Sequence, residues 1–324
     1  MKKSILAIVG IGLLLISGCA APERTPTPVA PTALPKPTAT SIPPSETATP
    51  ELSELPGFGV PYVPDGSHYQ KLDVYLPEGE DGPFPTILAI HGGGFSTGNK
   101  VTYYELANQF NELGYALVSI DYRLTPNFKY PAQVQDSFCA LAWVHANAAT
   151  YRFDTERIIV MGESAGGYLA AMLGTVDTPS LYLEGCPNLL PRTDWIRGAV
   201  VFYGNYDYTS IDGYTVGTIK TVEQPYWGAE FSEIPPDTLA EMSPMSWIDG
   251  SEPPFLLIHG TSDSDIPSWM SEDFAFALEE SGAAVELLLL EAGHGFLGRQ
   301  SLSSPTNVQS LETVQSWLAA LFER

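Results

Sequence analysis

Short, uninterrupted apolar runs alternate with longer stretches of helical spacing along most of this chain. Residues 86–90, 115–120, 157–161, 198–203, 255–258 and 285–290 each read as a strand. Residues 69–76 alternate only in part and stop at Pro77. Residues 101–113 have helical spacing and end at Gly114, a common helix stop. A long helix is predicted over 132–149, with Pro131 suited to its first turn. Another begins near Ser164, and two more cover 267–281 and 308–322. Strands that are apolar throughout must be buried on both faces, which a parallel sheet between helices provides. The predicted fold class is therefore α/β, in three layers with a mostly parallel central sheet and helices on both faces.

The first 56 residues break this pattern. Met1-Lys2-Lys3 is a short positive start, and residues 4–18 are an apolar run too short to span a bilayer comfortably. The run ends in Ile16-Ser17-Gly18-Cys19, which resembles the bacterial lipobox. That resemblance implies a signal peptide over 1–18 and a lipid on the Cys19 thiol. Residues 22–50 hold 9 prolines and 7 threonines, a composition that favours an extended chain and buries nothing. Residues 19–56 are expected to be a lipid-anchored tether. The expected localisation is the bacterial cell surface, with the lipid as the only membrane attachment. Residues 57–324 would form one globular domain.

Composition narrows the function. The 15 Lys and Arg against 38 Asp and Glu give a net charge of −23. Such a surface repels phosphate and excludes a nucleic-acid partner. The 44% hydrophobic content excludes a disordered chain, and three cysteines cannot staple a small scaffold. With Cys19 assigned to the lipid, Cys139 and Cys186 remain, either bridged or as two free thiols.

The strongest chemical signal is Gly162-Glu163-Ser164-Ala165-Gly166-Gly167, placed between a strand and an apolar helix. A strand, GxSxG and helix in that order lift the serine above the sheet edge at a helix N-terminus. A second signal, His91-Gly92-Gly93-Gly94-Phe95, follows the strand 86–90. Its N–H groups, unshielded by Cβ atoms, can face an oxyanion. Gly93, Gly94 and Ala165 are the expected donors. The serine needs a base and the base an orienting acid. Of the five histidines, His294 between two glycines is favoured over His259. Asp263 is favoured over Asp265, which is expected to cap the next helix. Ser164, Asp263 and His294 then all follow the carboxyl ends of strands, where open α/β sheets place their sites. No metal or organic cofactor is implied.

Taken together, HGGGF (91–95), DYRLTPNFKYPA (121–132), GESAGGYLA (162–170), HGTSDSDIP (259–267) and GHGF (293–296) resemble the α/β-hydrolase superfamily. The chain is most similar to its bifunctional feruloyl and acetyl-xylan esterase-like branch, adjacent to the hormone-sensitive-lipase-like esterases. Only about a dozen residues separate the tether from the first strand, which leaves no room for the latter group's N-terminal helical cap. The resemblance implies a serine esterase acting on short or aromatic acyl esters of carbohydrates, with no protein partner. It gives Asp121, Tyr122 and Arg123 a structural role. It also suggests that 204–250, which holds Tyr206, Tyr208, Tyr214, Tyr226, Trp227, Phe231 and Trp247, helps cover the substrate pocket, the alternative being an ordinary packed insertion with about half of these aromatics in the core. A generic carboxylesterase, a prolyl-oligopeptidase-type peptidase and a non-catalytic surface protein are the competing readings. The peptidase reading lacks its usual extra domain, and the binding-protein reading does not explain a complete set of triad residues.

Overall fold

The computed structural model describes residues 55, 57–79, 81–190, 195–210, 226, 228 and 233–323. Contacts divide the chain into Met1–Thr47 and Ala48–Arg324, and every described residue belongs to the second unit. The expected signal peptide, Cys19, the proline-rich stretch, Tyr214, Trp227 and Phe231 lie outside the described residues.

The sheet has eight strands among the described residues: β1 (Val60–Pro61), β2 (Lys71–Tyr75), β3 (Phe84–Ile90), β4 (Ala116–Ile120), β5 (Phe153–Glu163), β6 (Gly198–Phe202), β7 (Phe255–Gly260) and β8 (Val285–Leu290). Their order is β1-β2-β4-β3-β5-β6-β7-β8. The β1–β2 and β2–β4 pairs are antiparallel, and β3 onward is parallel throughout. The period of two along each strand splits the core in half. Leu88, Val160, Val201 and Leu257 face the helices Ala132–Ala146, Ala165–Thr175 and Trp269–Ser281. Ile87, Ile159, Val200 and Leu256 face Tyr104–Glu112 and Pro305–Phe322. This is the α/β-hydrolase arrangement, with three layers as expected.

Several boundaries differ from expectation for identifiable reasons. The helix expected over 132–149 ends at Ala146 and is followed by a separate turn of helix, Ala148–Tyr151. Pro131 serves as the N-cap of the first piece rather than lying inside it. β8 is the sheet edge, so it is not buried on both faces: Glu286 is exposed and Leu289 is 38% exposed. Cys139 and Cys186 are bridged, with Cα atoms 5.2 Å apart.

Candidate active site

Ser164 sits at a forced turn. Its φ of +55° and ψ of −119° are conformations that side-chain-bearing residues rarely adopt. The turn closes only because its neighbours are glycines. A Cβ on Gly162 would strike the Gly166 carbonyl, and one on Gly166 the Ile90 carbonyl. The Ser164 N–H donates to the Phe202 carbonyl at 2.9 Å, tying the turn to the end of β6.

The hydroxyl so presented lies 2.8 Å from His294 Nε2. His294 Nδ1 lies 2.7 Å from Asp263 Oδ2. The other carboxylate oxygen, Oδ1, accepts from the Asp265 and Ile266 N–H groups at 2.9 and 2.8 Å. Burial pushes the Asp263 carboxyl up. Hydrogen bonds from His259 and His294 outweigh burial and hold it well below the usual carboxylate range. Asp263 is therefore ionised and can fix His294 with Nδ1 protonated and Nε2 free to accept from the serine.

Asp265 does not cap the following helix, as the sequence led us to expect. That helix begins at Trp269 with Ser268 as its N-cap, and Asp265 instead lines the cavity around Ser164. The local reason is the turn of backbone N–H groups onto Asp263, which ends the strand's extension before a helix can start. His259 is fully buried behind Asp263, bonded to Ser271 Oγ at 2.7 Å and the Ile266 carbonyl at 2.8 Å. It therefore cannot reach the serine.

The glycine loop is held from three sides. The Gly92 N–H donates to Glu163 Oε1 at 2.9 Å. The Gly92 carbonyl accepts from His91 Nδ1 at 2.7 Å and from the Tyr122 hydroxyl at 3.3 Å. The Gly93 carbonyl accepts from the Ser96 and Thr97 N–H groups, both at 3.1 Å. A trans peptide carries its N–H opposite its carbonyl, so the Gly93 and Gly94 N–H groups face away from these donors. Both glycines line the same cavity as Ser164, Ala165 and His294. Ala165 is the first residue of its helix, where N–H groups have no intrahelical partner. The cavity measures about 480 Å³, and two carboxyl groups, Glu163 and Asp265, and one guanidinium, Arg299, form part of its wall.

One supporting residue carried no sequence signal. Tyr203, just past β6, sets its ring edge against His294 with centroids 5.0 Å apart. Its hydroxyl accepts from the Leu297 N–H at 3.2 Å and bonds Glu163. Burial raises the Glu163 carboxyl, against the Gly92 and Tyr203 hydrogen bonds. Tyr122 stacks on His91 at 4.3 Å, so the expected structural role of the DYR segment extends to the glycine loop. Arg123 pairs with the buried Asp136, and Asp121 with Lys100. Of the aromatics expected over the pocket, Tyr206, Tyr208 and Tyr226 are buried in the core and Trp247 is half-buried. None of these four lines the nucleophile cavity.

Known proteins resemble this chain in sequence and in fold. Esterase LipQ of Mycobacterium tuberculosis is 31% identical over 229 residues, which is 69% of this chain and 53% of LipQ. The chain spans about half the length of the curated relatives it matches first. Among solved structures, the bifunctional GH43-CE protein of Bacteroides eggerthii superposes with a TM-score of 0.70 at 27% identity, over 82% of this chain and 35% of that one. The native Est2 esterase of Thermogutta terrifontis superposes with a TM-score of 0.65 at 25% identity, over 78% of this chain and 87% of that one. The BD-FAE family pattern matches residues 72–278, a stretch that takes in the glycine loop, Ser164 and Asp263, and this chain belongs to the BD-FAE family, on an α/β-hydrolase fold.

Proposed function

We propose that the chain is a serine carboxylic-ester hydrolase working through an acyl-enzyme. The observation that carries this reading is the continuous path from Ser164 Oγ to His294 Nε2 at 2.8 Å and from His294 Nδ1 to Asp263 at 2.7 Å, opening into a cavity. Ser164 Oγ attacks the ester carbonyl carbon while His294 Nε2 takes its proton. The carbonyl oxygen becomes an oxyanion, held by the N–H groups of Gly93, Gly94 and Ala165. As the C–O bond to the alcohol breaks, His294 returns the proton to the leaving oxygen. Water then repeats the sequence on the acyl-enzyme and releases the carboxylic acid. Asp263 stays ionised throughout and stabilises the imidazolium.

The substrates in this reading are short or aromatic acyl esters of carbohydrates. A wall of glycines, Ser96, Thr97, Thr102 and the ionisable side chains of Glu163, Asp265 and Arg299 suits a hydroxyl-bearing substrate better than a lipid chain. The domain would be exported and held by a lipid on Cys19 through the proline-rich tether. Mass spectrometry of membrane-extracted protein tests that anchor, and an unmodified mature N-terminus would refute it.

Hydrolysis of p-nitrophenyl esters from acetyl to decanoyl, of acetylated xylo-oligosaccharides and of methyl ferulate tests the specificity. kcat/KM should peak between acetyl and butyryl, because each methylene the site cannot seat costs about 1–3 kcal/mol. A profile rising to decanoyl, with no turnover of carbohydrate acetates or ferulate, would leave a generic carboxylesterase.

A further inference from the structure

A second cavity, of about 290 Å³, adjoins the one around Ser164. Thr102, Glu163 and Gly298 form part of the wall of both. The second cavity lies between two segments: Lys100–Tyr103 with the start of Tyr104–Glu112, and Phe296–Arg299 with the residues after it. The first segment follows the glycine loop, and the second directly follows His294. His294 must hand its proton to the leaving oxygen, so the alcohol half of the ester departs on the side of that histidine. The second cavity is therefore placed to receive what the alcohol carries.

Its lining is amphipathic. Val101 and Tyr104 form an exposed rim, at 58% and 52% of their full exposure. Tyr75 holds the Tyr104 ring edge-on, with centroids 6.1 Å apart. Leu297 and Leu302 supply apolar surface, and Glu105 and Gln300 supply hydrogen-bonding groups. An aromatic face beside amide, carboxylate and hydroxyl groups matches a sugar ring, which has an apolar C–H face and a polar edge. The exposed carboxylate of Glu105, in a chain of net charge −23, favours a neutral sugar over an acidic one.

We propose that this cavity is a leaving-group subsite that holds a further neutral sugar unit of the alcohol, with Tyr104 as its stacking platform. The subsite rests on the esterase reading above and extends it from the reacting ester to the rest of the saccharide.

Inhibition of p-nitrophenyl acetate hydrolysis by unacetylated xylotriose tests it, together with calorimetric titration of the same sugar. Xylotriose should raise the apparent KM of the wild-type enzyme and leave kcat unchanged. Tyr104→Ala should weaken both inhibition and binding about tenfold, as expected for the loss of one aromatic stacking face. Its kcat/KM on p-nitrophenyl acetate should stay within about twofold of wild type. That retained activity excludes a folding defect as the cause, and Tyr104→Phe, which keeps the stacking face, should keep the sugar affinity. Xylotriose that neither binds nor inhibits overturns the subsite, as does equal affinity for wild type and Tyr104→Ala. An enzyme that binds the sugar in a Tyr104-dependent way but does not hydrolyse p-nitrophenyl acetate keeps the subsite and refutes the esterase reading instead.

Discussion

His259 Nε2 stands 3.4 Å from Asp263 Oδ2, the same oxygen that bonds His294 at 2.7 Å. The two histidines share one carboxylate but face different surroundings. His294 borders the cavity, whereas His259 is fully buried. Its Nε2–H is shared between the Ile266 carbonyl at 2.8 Å and Asp263 Oδ2 at 3.4 Å, which leaves Nδ1 to accept from the Ser271 hydroxyl. His259 thus holds Asp263 from behind.

Replacing each histidine should separate these roles. His294→Ala removes the base and should lower kcat by about 10⁴-fold or more. His259→Ala should keep kcat within about tenfold of wild type and cost about 1–3 kcal/mol of stability, because buried partners lose their hydrogen bonds. Steady-state kinetics beside thermal unfolding gives both readings. A His259→Ala enzyme as inactive as His294→Ala, yet fully folded, would contradict this division of labour.

The serine turn predicts a conflict between stability and activity. Ser164 holds a φ of +55°, which costs on the order of 1–3 kcal/mol for a residue with a Cβ. Glycine removes that strain. Ser164→Gly should therefore be inactive and more stable than Ser164→Ala by about 1 kcal/mol, or roughly 2–4 °C in Tm. Ser164→Ala itself should lose several orders of magnitude in turnover with its melting behaviour nearly unchanged. Equal melting temperatures for the two variants would show that the turn stores no such strain.

The core strands were legible because a parallel sheet buries both faces, so each appears as an apolar run without alternation. The site was legible where backbone geometry demands a residue type: glycines at 162 and 166, and three glycines after β3. The longer true extents of β3 and β5 were not. Pro85 reads as a stop, yet the ladder begins at Phe84 opposite Phe153 with a register shift before Thr86. Tyr203 was missed, and Asp265 was read as a helix cap, for another reason. Each acts through a neighbour that is distant in sequence or through a backbone turn, and neither leaves a local pattern. The exposure of β8 depends on its place at the sheet edge, which no single strand's composition encodes.

The Cys139–Cys186 bridge closes a loop of sequence separation 47 that contains β5 and Ser164. Closing a loop of that length restricts the unfolded chain by about 4 kcal/mol on a chain-entropy account. The Cys139→Ala/Cys186→Ala double variant should lose about 2–4 kcal/mol in denaturant unfolding. Its kcat at 25 °C should stay close to wild type, since neither sulfur lines the nucleophile cavity. Unchanged stability with both thiols absent would show that the unfolded chain is already constrained by other means.

His91 predicts how the fold responds to acid. The ring is buried to 1% exposure, and burial lowers its pKa from the ordinary 6.5 to about 4. Its Nδ1 donates to the Gly92 carbonyl, and Nε2 is buried without a hydrogen-bond partner. A proton added at Nε2 would therefore be a buried, unpaired charge. Between pH 6.5 and 4 the unfolded chain binds that proton and the folded chain does not. Stability then falls as pH falls across this window, and is fully retained above it. At pH 5 the loss from this site alone is about 2 kcal/mol, or roughly 4–8 °C in Tm. Asp263 adds to the loss only lower down, because its depressed pKa stabilises the fold above the ordinary carboxylate value and is lost as pH drops below it. Glu163, raised by burial, has the opposite sign and favours the fold as pH falls. The His91→Gln variant isolates the histidine's share. Its Tm should change less than that of wild type between pH 7.5 and 5, by about the amount given above. Parallel Tm-against-pH curves for the two proteins would mean that His91 accepts its proton in the folded state, and that the glycine loop tolerates the charge.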